Sequence, residues 1–100
     1  MKKITLSITE NNVLFAGELT RQTVMTIPKK SMAHIVNQQR INLDLQQVTQ
    51  VDTAGLAWLF YLLEQASKTS CQITFSSVPS KLDKLISLSG VDGFLPIDAA

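Results

Sequence analysis

Residues 51–58 read VDTAGLAW, and within them Asp52 and Thr53 are the side chains best placed to do chemistry. A carboxylate beside a hydroxyl can serve four ends: nucleophilic catalysis, acceptance of a phosphate, capping of a helix, or docking of a partner. Catalysis by Thr53 needs a general base within reach. The only histidine, His34, falls in an amphipathic helical stretch, where a solvated or partly packed role is expected. The order hydrophobic-Asp-Thr also matches the half-site of a dimeric aspartic protease. That site needs a glycine directly after the threonine and an all-β setting, whereas here Ala54 follows and a helical pattern begins.

Without a catalytic partner, capping accounts for the residue types. Asp or Thr at a helix start satisfies an orphan backbone amide, a contribution of about 0.5–2 kcal/mol. The free amides of residues 53–56 and the positive end of the helix dipole also stabilise an anion, so a phosphate on Thr53 would be accommodated there. Gly55 costs roughly 1 kcal/mol of helix propensity against alanine, which predicts a close approach to its backbone by a partner or a neighbouring loop.

Projecting the helix at about 100° per residue places Leu56, Leu59, Phe60, Leu63 and Ala66 on one stripe, the expected sheet-facing side. Ala54, Trp58, Tyr61 and Gln65 fall opposite. The only tryptophan and the only tyrosine therefore share a face outside the expected core, and two neighbouring aromatics there predict a docking patch. The competing expectation is that a loop or terminal segment covers them.

The elements that must hold this stretch follow from periodicity. Ile4, Leu6 and Ile8 alternate with polar residues, Asn11 and Asn12 supply turn chemistry, and residues 13–19 are apolar again, so a β-hairpin opens the chain and Gly17 marks its exit. Val24, Ile27, Met32, Ile35 and Val36 recur at helical spacing, and Pro28, tolerated best in a first turn, places the main helix after Ile27. Ile41, Leu43 and Leu45 alternate as a strand, with residues 46–51 a polar approach to the motif. The second helix spans 53–67. Ile73 and Phe75 mark a short strand, and Pro79-Ser80 opens a third helix. Ser80 and Asp83 are spaced there as a capping box, and Leu82, Leu85 and Ile86 form the buried stripe. Gly90 ends it, and residues 91–97 form an apolar tail able to add an edge strand.

This order, β-β-α-β-α-β-α, predicts an α/β fold: one small mixed sheet of four or five strands with helices packed on it. One hundred residues make a single domain, 1–100, and 45% hydrophobic with 17% charged residues is the composition of a chain with a core to bury. A net charge of +1, with basic doublets only at Lys2-Lys3 and Lys29-Lys30, gives no face suited to nucleic acid. One cysteine, Cys71, cannot pair within the chain and is expected to be a small buried or half-buried residue. No cofactor or metal site is expected, since one Cys and one His form no ligand cluster. The alternation over residues 4–10 lacks the continuous apolar stretch of a secretion signal, and no window is long enough to span a bilayer. A cytoplasmic location is the expectation.

VDTAGLA at 51–57, together with FAGEL at 15–19, INLDL at 41–45 and LISLSG at 85–90, resembles the STAS domain family. That family includes anti-sigma factor antagonists, the cytoplasmic tails of sulfate transporters and the small STAS subunit of Mla phospholipid transporters. The resemblance covers nearly the whole chain. DTAGLA followed by a hydrophobic helix is most similar to the Mla subunit. It implies a single STAS domain and a non-enzymatic cytoplasmic accessory subunit, peripheral to the inner membrane through its partner. That partner would be the ATPase of an ABC transporter moving phospholipids, which the subunit binds and regulates or stabilises. The binding residues so implied are Asp52, Thr53, Ala54, Gly55, Leu56, Trp58 and Tyr61, rimmed by Glu18 and Thr20. The alternative is an anti-sigma factor antagonist in which an anti-sigma kinase phosphorylates the residue after the motif's aspartate. That residue is commonly serine and here is Thr53.

Overall fold

A computed structural model describes residues 2–96. Four strands, β1 (Ile4–Thr9), β2 (Asn12–Leu19), β3 (Arg40–Val51) and β4 (Gln72–Ser76), form one sheet in the order β1-β2-β3-β4. β1 and β2 are an antiparallel hairpin, and β2-β3 and β3-β4 are parallel, so the last two connections must cross over through helices. The first crossover carries α1 (Arg21–Val24) and α2 (Lys29–Val36), the second α3 (Thr53–Lys68); α4 (Ser80–Leu88) follows β4. The mixed sheet and its helices agree with the expected class and order. The short α1 is an addition.

The core lies on one side of the sheet. Val13, Phe15 and Leu19 of β2, Ile41, Leu43 and Leu45 of β3, and Ile73 and Phe75 of β4 are buried against Leu59 and Leu62 of α3, Ile35 of α2 and Leu82 and Ile86 of α4. The opposite face is polar. There Asn42 Nδ2 donates to Asn12 Oδ1 and to Ser76 Oγ, each at 2.8 Å, and its Oδ1 accepts from Thr74 Oγ1 at 3.2 Å, stitching three strands together.

β3 is longer than its alternation predicts. Residues 46–51 belong to it because two register shifts absorb the break in pattern: Leu14 and Ala16 pair with Asp44 and Gln47, and Gly17 and Glu18 with Val48 and Gln50. Each shift is a β-bulge with an extra residue on β3, which moves the buried positions from Leu43 and Leu45 to Val48. Gly17 sits within β2, not at its exit. Its φ of +112° and the Lys3 carbonyl where a Cβ would point both require glycine.

Three further local expectations are corrected. Pro79, not Ser80, is the N-cap of α4, and no side-chain cap forms there, so the Ser80-Asp83 spacing is not used. The buried line of α3 runs Gly55, Leu56, Leu59, Leu62 and Ala66, with Phe60 and Leu63 only partly buried. The core side is thus turned toward Trp58, because α3 packs on α1 and α2 as well as on β2, β3 and β4. The tail forms a short 3-10 turn (Asp92–Phe94), after which the Pro96 carbonyl accepts from the Phe75 N–H at 2.9 Å, a single edge bond and no strand among the described residues. Ile97 of the expected tail strand lies outside them. No helix of the described residues is long and apolar enough to cross a membrane.

Leu43, fully buried at the centre of the sheet, tests this core. Leu43→Ala is expected to cost about 2–5 kcal/mol, read as a lowered denaturant midpoint with a near-native m-value.

Candidate functional site

β2 and β3 run parallel and end together, with Leu19 paired to Val51, so the chain leaves both strands at one end of the sheet. Asp52 follows β3 with extended backbone and caps α3: its Oδ1 accepts from the Gly55 N–H at 2.9 Å. Its other oxygen reaches across the gap, accepting from the Arg21 N–H at 3.0 Å. One carboxylate thus fastens the start of α1 to the start of α3. Burial works to raise its pKa, but the amides of Arg21, Gly55, Ala54 and Asp52 itself together outweigh burial and hold the carboxyl below its ordinary range.

Gly55 is buried, and what approaches it is the end of β2. A Cβ there would collide with the Leu19 carbonyl oxygen and lie 2.7 Å from its carbon. Thr23 secures the same corner from the other side: its buried Oγ1 donates to the Glu18 carbonyl at 2.6 Å and accepts from the Thr20 N–H at 2.9 Å. The Thr20 hydroxyl is buried beside it, without a hydrogen-bond partner among the described residues.

The residues singled out in the sequence therefore divide. Thr53 is exposed at the first position of α3, Ala54 is half-buried beside it, and Glu18 and Thr20 are half-buried at the β2 exit. Gly55 and Leu56 are buried and shape the turn from inside. Trp58 departs from the exposed face predicted for it: it is half-buried, its ring meeting Phe15 edge-on at 5.9 Å. Tyr61 remains 51% exposed. His34 is exposed, and Cys71 is buried, which raises its thiol pKa.

Trp58, Tyr61 and Gln65 form one wall of an open, mainly apolar groove of about 440 Å³ between α3 and α2. Ile27, Met32 and Val36 form the other. α2 is anchored at its C-terminal end, where Thr69 Oγ1 donates to the Val36 carbonyl at 2.6 Å. Ile27, Met32 and Val36 enter the sequence reading only through their helical spacing, which is the same whether the stripe is fully or half covered. Met25, 88% exposed where α1 ends, and the Arg21 amide that binds Asp52 gave no sequence signal. A larger depression of about 600 Å³ lies at the other end of the sheet, but it is polar, lined by Asn11, Arg40, Gln72 and neighbours, and remote from the motif.

Two outcomes test this corner. Gly55→Ala is expected to cost about 1–3 kcal/mol through forced separation of β2 and α3, far from the gain alanine brings to an open helix position, measured by chemical denaturation. Because the folded-state pKa of Asp52 is depressed, its stabilisation is fully present above its unfolded value near 4 and is lost as pH falls through the lower folded value. Asp52→Asn keeps a capping oxygen and is expected to flatten that acid limb of the stability profile.

The family comparison matches the model described as "Mlab, STAS domain" over residues 4–96. A comparison with curated protein sequences gives no match. Among solved structures, a putative anti-sigma factor antagonist from Thermotoga maritima is similar with a TM-score of 0.74 at 20% identity, covering 94% of this chain and 84% of that one. The anti-sigma factor antagonist SpoIIAA is similar in its unphosphorylated form, with a TM-score of 0.69 at 16% identity over 96% of this chain and 88% of that one. The phosphorylated form of SpoIIAA, the Bacillus cell fate determinant, gives 0.64 at 15% over 96% and 91%. Identities this low establish the shared fold alone. The family match, which spans both strands of the hairpin, the capped turn at Asp52 and α4, establishes more: this chain belongs to the MlaB-type STAS domain family.

Proposed function

We propose that the chain is a non-enzymatic accessory subunit that binds, and regulates or stabilises, the cytoplasmic ATPase of an inner-membrane ABC transporter moving phospholipids. Its location would be cytoplasmic, peripheral to the membrane through that partner. The observation that carries this reading is the family match along residues 4–96, whose description bears the Mla name. The local physical chemistry supports it. Thr53 offers a hydroxyl on a turn pinned by Asp52, and Tyr61 and Trp58 offer aromatic area beside it on the same helix. A pre-formed turn and a rigid aromatic lose little entropy on association. In this reading Thr53, Ala54 and Tyr61 make contact, Glu18 and Thr20 form the rim, and Asp52, Gly55 and Leu56 hold the surface in shape.

The alternative is an anti-sigma factor antagonist controlled by a kinase at Thr53, and its support is the likeness to SpoIIAA, known in phosphorylated and unphosphorylated forms. Thr53 is exposed enough to be modified. A phosphate there would add negative charge next to an ionised Asp52, whose carboxylate already occupies the Gly55 amide. Such a group acts by repulsion, expelling a bound partner, more than by building a new contact.

With the host's transporter ATPase, Thr53→Glu and Tyr61→Ala are each expected to weaken binding by about tenfold or more while circular dichroism stays native. Unchanged affinity in titration calorimetry would remove the docking reading. A host anti-sigma kinase that places one phosphate on Thr53, seen by mass spectrometry, would move the assignment to the alternative.

A further inference from the structure

β1 is an edge strand, and nothing in it protects the edge. Natural sheets blunt an open edge with an internal charge, a proline, a bulge or a covering segment. ITLSIT, residues 4–9, holds no charge and no proline, pairs with β2 without a register shift, and has no covering segment among the described residues. The other edge, β4, is partly covered, through the bond from Phe75 to Pro96.

The free groups of β1 follow from the ladder. In an antiparallel pair, alternate residues turn both backbone groups toward the partner strand. The Glu18 N–H donates to the Lys3 carbonyl at 2.9 Å, so the inward-bonded residues are Lys3, Thr5, Ser7 and Thr9. Ile4, Leu6 and Ile8 point their N–H and C=O groups away from the sheet. The same three side chains face the helix layer, since Leu6 lies opposite buried Phe15 and Ile8 opposite buried Val13.

We infer that the occupant of this edge is a second copy of the chain, joined β1 to β1 in antiparallel fashion. A two-fold axis perpendicular to the sheet keeps both helix layers on one side. Directly opposite residues in an antiparallel pair point the same way, so Ile4, Leu6 and Ile8 must face one another across it. Those are also the residues with free backbone groups, so side-chain facing and hydrogen bonding demand the same registers. One of these registers pairs the whole strand: Leu6 faces the partner's Leu6 and Ile4 the partner's Ile8.

That register also complements charge. Lys2 lies two residues before the strand and Glu10 opens the turn that follows it, both exposed and without an ion pair among the described residues. Continued past the strand ends, that register brings Lys2 near the partner's Glu10, within reach of two long side chains, and by symmetry this happens twice. The result is an eight-stranded continuous sheet, weak because the contact is narrow. The turn at Thr53 lies beyond β2 and β3 and stays free, so this pairing and the proposed docking surface stand or fall separately.

The test is sedimentation equilibrium from low micromolar to near-millimolar protein, with amide hydrogen exchange by NMR over the same range. A dimer is expected, in which the amides of Ile4, Leu6 and Ile8 become protected as concentration rises while those of Thr5, Ser7 and Thr9 are protected throughout. Lys2→Glu and Glu10→Lys are each expected to weaken dimerisation roughly tenfold, and the double swap to restore it. A chain monomeric at every concentration would overturn the inference. So would a dimer that leaves the three outward amides unprotected, or one indifferent to both single reversals.

Discussion

The carbonyl of Leu19 rests against the α-carbon of Gly55, and the geometry of the motif depends on that approach. It brings the end of β2 onto the first turn of α3, where the free amides of the helix are concentrated. Two groups then lock the junction from either side. The Asp52 carboxylate accepts from the Gly55 and Arg21 amides, and Thr23 binds the Glu18 carbonyl and the Thr20 amide. A side chain at position 55 would push the strand end and the helix apart, and the Asp52 oxygens could no longer serve both. The glycine and the aspartate are thus one device, since either alone would leave the turn loose.

What this device produces is an outward surface of small cost to order. Thr53 stands exposed on a turn whose backbone is already fixed, and the groove beside it has one wall from each of two helices. Those helices come from different crossovers of the parallel strands β2-β3 and β3-β4. Parallel pairing itself requires such crossovers, and packing both on one sheet face sets α2 beside α3. The opposite sheet face, stitched by Asn42, is polar and needs no cover. Surface and scaffold therefore separate cleanly: one end of the sheet presents the turn, one face the core, and one edge an open strand.

Much of this was legible in the chain. The alternations of residues 4–8 and 41–45, the capping residue before an apolar helix, and the glycine that demands close approach are local signals, because a period of two or of about 3.6 and a short-range cap involve residues near in sequence. The extension of β3 was not legible: two bulges interrupt its period, and a bulge is defined by the partner strand, not by the bulged residues alone. The capping-box spacing of Ser80 and Asp83 misled for a related reason, since Pro79 already supplies an extended N-cap and the helix starts one residue earlier than that box requires.

The amino-acid order by itself determined where the turn is and that a carboxylate and a hydroxyl, either able to cap, stand side by side at the helix start. The folded structure decided which of the two caps and what each residue faces. Gly55 meets Leu19, a residue distant in sequence, and Asp52 meets the amide of Arg21. Trp58 leans on Phe15 and leaves Tyr61 as the exposed aromatic of α3, because the buried side of that helix is set by α1 and α2 together with β2, β3 and β4. Helical periodicity gives the angles between side chains on one helix, but the direction of the core is a property of everything packed around it.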